Sequence, residues 1–261
     1  GANANVIVDG NSILQDAEAA IYASDNAEVK IANCTFNKNK IGVHIDYNSI
    51  LTTTAYPFSV FGNVQFTCAT SLNSPGSALD VNNSAKAKSF RHIEAIKANL
   101  LKVGLNIYQP NYFDNAEYGI YSENTALEIF NNSFTNINGY VQAPIGSTPI
   151  YVAIYGDNNK TSFHATIGNI VNGFFSNGNN VFINCTNGIF LLEYEKINIV
   201  NNFLDSPMPD PFPGAPFFRN GERAILTENA FIISDYSNII ESNYINGFDK
   251  PVIVTHLTTN I

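Results

Sequence analysis

One phrase returns along this chain and limits what it can fold into. Residues 29–45 read VKIANCTFNKNKIGVHI, an apolar-x-apolar-x-Asn-x-x-apolar unit with Gly-apolar-x-apolar six residues after its Phe. The first half recurs as Leu127-x-Ile129-x-Asn131-x-x-Phe134 and Ile197-x-Ile199-x-Asn201-x-x-Leu204. Weaker copies are Phe61-x-Asn63-x-x-Phe66, Ile240-x-Ser242-x-x-Ile245 and Asn179-x-x-Phe182. The second half recurs at Gly42, Gly119, Gly188 and Pro251, with looser copies at Ala20, Ala78, Ala153 and Ala224. The shortest step, Ala20 to Gly42, is 22 residues, and longer steps read as the same unit with inserted loops. A fixed period of this size is the signature of a repeat architecture.

Each half-unit alternates with period two and is rich in Ile, Val and Phe, which predicts short strands. Such a unit buries its apolar face only against its neighbours. Asn is enriched to 39 residues. It suits the bends because its side chain bonds nearby backbone and it tolerates positive φ. Stacked Asn side chains can also bond one another along the axis. The predicted fold is therefore all-β: a single-stranded right-handed parallel β-helix of about eight coils, roughly 40 Å long at a rise of about 4.8 Å per coil. It forms one domain over residues 1–261. A sandwich would show turn signals between antiparallel strands, and a leucine-rich repeat would need dense Leu.

The phrase resembles the parallel β-helix repeat of the pectate-lyase-like superfamily over nearly the whole chain. That resemblance implies a secreted or cell-surface protein that meets polysaccharide along one face. Its members include lyases, polygalacturonase-like hydrolases, phage tailspikes and surface adhesins, and the fold alone does not choose among them.

Composition narrows the partners. The formal net charge is −9 with only 13 Lys and Arg. This argues against nucleic acid, whose phosphates are met by cations. No apolar run is long enough to span a bilayer. Cys34, Cys68 and Cys185 are an odd set without a CxxC pair, which fits neither a disulfide framework nor a zinc site, and reads as three small buried side chains. No cofactor and no metal is expected.

Three insertions, 67–77, 135–152 and 205–223, fall between the aromatic and the Gly of a unit. Insertions at equivalent corners project from one side, often the binding side. The last is proline-rich (SPMPDPFPGAP) and is expected to be an extended loop rather than a strand or helix. Tyr140, Gln142 and Tyr151 from the middle insertion, with Asp205, Asp210, Arg219 and Arg223 from the last, are the candidate ligand contacts. Residues 82–107 fit either a helix or a degenerate coil. Their Lys88, Arg91 and His92 form a candidate contact to an anionic sugar.

A lyase of this kind needs a base and usually outward carboxylates that hold calcium. The outward first-strand positions, Lys30, Val60, Glu128, Asn198 and Ile239, form no carboxylate cluster. On the third strand they are His44, Asp80, Tyr121, Phe190 and Ile253. His44, Asp46 and Asp80 are the one constellation for proton transfer. The hydrolase segments Asn-x-Asp, Asp-Asp and His-Gly are missing. The expectation is a non-catalytic surface module, a stalk that binds carbohydrate or a partner, carried as a segment of a longer protein. A polysaccharide lyase or hydrolase, and a phage spike, are the alternatives.

Overall fold

The computed structural model describes residues 5–24, 27–47, 58–68, 88–104, 110–138, 151–158, 163–168, 179–209, 218–229 and 237–256. Every helix or strand among them is a β-strand. The strands begin with β1 (Asn5–Val8), β2 (Ile13–Gln15), β3 (Ala19–Ser24), β4 (Glu28–Asn37), β5 (Ile41–Asp46), β6 (Phe58–Thr67) and β7 (Ser89–Ile96). Then come β8 (Leu100–Val103), β9 (Asn111–Asp114), β10 (Ala116–Glu123), β11 (Ala126–Ile129), β12 (Asn132–Thr135) and β13 (Val152–Asp157). The last are β14 (His164–Ile167), β15 (Val181–Ile183), β16 (Asn187–Leu192), β17 (Lys196–Val200), β18 (Phe203–Asp205), β19 (Pro207–Pro209), β20 (Phe218–Asn229), β21 (Ser237–Glu241), β22 (Tyr244–Asn246) and β23 (Phe248–His256).

All described pairings are parallel except β19 with β20, and they build long stacks. The first stack runs β1, the front of β4, the front of β6, β8, β11, β14, β17 and β21. The second runs β2, the back of β4, the back of β6, β9, β12, β15, β18 and β22. The third runs β3, β5, β7, β10, β13, β16, β20 and β23. The chain visits the stacks in the same order each time.

Period-two alternation turns one side of every strand inward, so the core is made of columns. In the third stack the column is Ile21, Val43, Ile93, Ile120, Ile154, Ile189 and Ile225, with Val252 of the last strand in register but exposed. In the second stack it is Leu14, five phenylalanines (Phe36, Phe66, Phe113, Phe134, Phe182), Leu204 and Ile245. The phenylalanine rings stack face to face at 4.8, 5.0, 4.8 and 5.0 Å between centroids and are almost fully buried. A parallel sheet in register puts identical side chains one strand spacing apart, which is the spacing stacked rings need.

The bends account for the Asn excess. Of fifteen described non-glycine residues with positive φ, nine are Asn. Asn33, Asn63, Asn131, Asn201 and Ser242 occupy the bend between the first and second stacks, all with φ of 51–57°. The recurring Asn is thus the left-handed residue that turns the chain, as its tolerance of that region allows. The longest run of amide-to-amide bonds lies one residue later. Asn111, Asn132, Asn180, Asn202 and Asn243 form a chain in which each Nδ2 donates to the next Oδ1 at 2.8–2.9 Å. Each of the five also donates to a backbone carbonyl. They satisfy carbonyls that the bend would otherwise leave buried and unpaired.

Two expectations are corrected. The residue in the Gly column between Gly42 and Gly119 is His92, not Ala78. Its neighbours in register lack side chains, and its imidazole lies inside against Phe66 and Phe113. Of the two readings open for residues 82–107, the coil is the one observed, with strands β7 and β8 among its described residues. The proline-rich loop contains a strand after all: Pro207–Pro209 pairs antiparallel with Asn220–Phe218. Proline is tolerated there because an edge strand need not donate.

Candidate functional site

The outer face of the third stack gathers more polar and aromatic chemistry than the alternation alone requires. Its central column reads Tyr22, His44, Glu94, Tyr121, Tyr155, Phe190, Leu226 and Ile253. Glu94 therefore takes the place expected for Asp80, which lies outside the described residues. The flanking columns carry Arg91, Tyr118 and Arg223 on one side, and Asp46, Glu123, Asp157 and Glu228 on the other.

Three of these groups form a charge network. The His44 Nδ1–H donates to Glu94 Oε2 at 2.5 Å, and the Arg91 guanidinium pairs with Glu94 Oε1. Glu94 is almost completely buried. Burial alone would disfavour its charge, and Arg91 compensates. The Arg91 guanidinium lies 3.4 Å from the Tyr121 ring centroid, 4.5 Å from Phe90 and 5.6 Å from Tyr118. Its Nε is buried without an acceptor. Burial lowers its pKa, opposed mainly by Tyr121 and Tyr118. Burial also lowers the pKa of His44, opposed by Asp46 and reinforced by Arg91. A neutral His44 that spends its Nδ1–H on Glu94 keeps Nε2 as a proton acceptor, the arrangement of an oriented general base.

Beyond Glu94 the face becomes a tyrosine patch. Tyr121 and Tyr155 stack at 5.0 Å, and Tyr118 meets both edge-on. The Tyr121 hydroxyl donates to Glu123 and the Tyr155 hydroxyl to Asp157. Burial, with these neighbouring carboxylates, raises both phenol pKa values. With Val152 and Phe190 these rings form a buried cluster separate from the main core, and Phe90, Leu192 and Leu226 pack on it. Accessibility is greater at the near end, where Tyr22 is 62% exposed and stacks on His44 at 4.9 Å. Glu117 is half-buried, and its carboxyl pKa is raised by burial, opposed by Lys88 and Arg91.

The other sequence candidates are dispersed. Arg223 shares this face, its guanidinium 5.7 Å from the Phe190 ring centroid, and Asp46 lies on the same face beside His44. Asp205 faces outward on the second stack and accepts from Asn246 at 2.9 Å. Tyr151 is buried with Lys88 Nζ 5.5 Å from its ring centroid. Arg219 lies on β20 opposite Met208. Tyr140, Gln142 and Asp210 lie outside the described residues. His92 cannot touch a ligand as expected, because it is buried among phenylalanines and bonds the Asp114 carbonyl. Lys88 bonds Asn138.

Arg91 and Glu94, as partners of His44, were missed in the sequence. Their signal was a spacing: Ile93 precedes Leu101 by eight residues, as Ile189 precedes Ile197. His92 in the Gly column masked it.

The three cysteines are buried free thiols, with burial pushing Cys34 up to about 11 and Cys185 up to about 12. Among the described residues no three or more His, Cys, Asp or Glu converge as metal ligands, and no helix is long and apolar enough to cross a membrane. No family model, curated protein or solved structure matches the chain. What stands is the class defined by the geometry: an all-β protein of long parallel sheets with a charged, aromatic outer face.

Proposed function

We propose that the chain winds as a right-handed parallel β-helix of about eight coils, of the pectate-lyase-like kind. On this reading it is a secreted or cell-surface module that holds a glycan against the outer face of the third stack. One observation carries it: exposed Tyr22 stacks on His44, beside an edge on which the part-buried carboxylates of Asp46, Glu123 and Asp157 lie in one column. Carboxylates accept hydrogen bonds from sugar hydroxyls, and rings pack on their apolar faces. The module would serve as stalk and adhesin-like binder beside further domains of a longer protein. The test is retention on a glycan panel by the chain and by Tyr22→Ala and Arg223→Ala. Loss of retention in these variants supports the reading, and no retention of any glycan reduces the chain to a spacer.

A second reading is catalytic, favoured by the neutral His44 held by Glu94. A polysaccharide lyase or hydrolase would release unsaturated uronate absorbance or new reducing ends from pectate, alginate or glycosaminoglycan, and His44→Ala would abolish either. A phage spike, the third alternative, would sediment as a stable trimer.

A further inference from the structure

We infer that the outer face of the second stack is a separate docking surface for an uncharged polysaccharide chain. The surface consists of the residues on either side of each inward member of the leucine–phenylalanine column, sixteen positions in all. Four carry hydroxyls, four amides, three aromatic rings, three aliphatic chains and two carboxylates, and none carries a cation. The first-stack face, by contrast, pairs Lys102 with Glu128 and Lys30 with Glu28, and the third-stack face carries Arg91 and Arg223.

The rings here are open, unlike the tyrosine patch of the third stack. Tyr112 is 46% exposed and Tyr244 47% exposed, and Tyr244 stacks on Phe203 at 4.7 Å. Gln65, next to Tyr112 in register, is exposed. Both carboxylates are already engaged: Asp114 accepts from Thr135 and Asn136, and Asp205 from Asn246. Amides and hydroxyls beside exposed rings can meet the hydroxyl edges and apolar faces of sugars. A polyuronate would set its carboxylates against Asp114 and Asp205 with no cation to answer them, and like charges repel. The charge of the surface therefore selects a neutral chain.

The inference extends glycan binding to a second face and does not rest on the third. The experiment is affinity electrophoresis through gels containing a neutral β-glucan, a mannan or polygalacturonate. It compares the chain, a Tyr112→Ala/Tyr244→Ala variant and the Tyr22→Ala/Arg223→Ala variant. Circular dichroism melting confirms that each is folded. The expected result is retardation by at least one neutral polymer that depends on Tyr112 and Tyr244, with any retardation by polygalacturonate independent of them. The Tyr112→Ala/Tyr244→Ala variant should lose about tenfold in affinity, and the third-stack variant should keep it. Three outcomes overturn the inference: no retardation by either neutral polymer, retardation by polygalacturonate that the Tyr112→Ala/Tyr244→Ala variant loses equally, or loss confined to the third-stack variant. The last would leave the third-stack reading intact.

Discussion

Replacing Asn132 by Asp changes one atom in the middle of the amide chain and tests whether that chain holds the bend. Asn132 Nδ2 now donates to the carbonyls of Val103 at 3.1 Å and Phe130 at 3.0 Å, and to Asn180 Oδ1 at 2.9 Å. Its Oδ1 accepts from Asn111 at 2.8 Å. A carboxylate would turn an oxygen without protons toward three oxygens, at a site that is 2% exposed. Loss of two donor bonds costs about 1 kcal/mol each, and a buried acceptor left unpaired costs about 1–3 kcal/mol more. The destabilisation at pH 7 should therefore be at least about 3 kcal/mol, or about 6–12 °C in Tm for a domain of this size. The folded state would favour the protonated acid, so its pKa would lie above the unfolded value. Stability should then rise again as pH falls toward the unfolded Asp value near about 4, with a slope of up to about 1.4 kcal/mol per pH unit. Asn198, half-buried and outward on β17, is the control, and its Asp variant should stay within about 0.5 kcal/mol of the parent. Urea unfolding at pH 7, 6 and 5 measures all of this. A cost below about 1 kcal/mol at pH 7 with no pH dependence would refute the reasoning.

The other expectations concern the core and the charge network. Phe134→Ala removes a fully buried ring stacked on both neighbours. It should cost about 3–5 kcal/mol by urea unfolding, well above the cost of truncating half-buried, outward Phe203. His92 is held near pKa 4 by burial, against an ordinary 6.5. The unfolded chain binds that proton first as pH falls, so stability should drop by about 3 kcal/mol between about pH 6.5 and about pH 4. His92→Gln should remove this part of the acid slope, seen as the difference between the two unfolding curves. Glu94→Gln strands the Arg91 guanidinium among rings and should cost about 3–5 kcal/mol, while Arg91→Met/Glu94→Gln should be less damaging than Glu94→Gln alone. Gly104 has φ +102°, and a Cβ there would collide with the Phe130 carbonyl oxygen, so Gly104→Ala should lower the yield of folded protein sharply.

What the sequence disclosed follows from which constraints are local. A left-handed bend beside alternating Ile, Val and Phe writes itself into adjacent residues. Asn33, Asn131 and Asn201 therefore marked equivalent corners, and Lys30, Val60, Glu128, Asn198 and Ile239 fell into one register column as expected. The buried amide chain was less legible, because the residue after the bend is Cys34 or Val64 in two early strands and Asn only from Asn111 onward. The candidate site was least legible. Its partners come from strands whose separation depends on inserted loops, so one misplaced anchor exchanges Glu94 for Asp80 and dissolves the network around His44. His92 caused that displacement by filling, inside the core, a column that elsewhere needs a small residue. Its ring is accommodated only because Gly42 and Gly119 flank it. A large residue in a small-residue column is then itself informative in a repeat of this kind. It indicates that both neighbours in register are small, and it could have been used to align this strand before any coordinates existed.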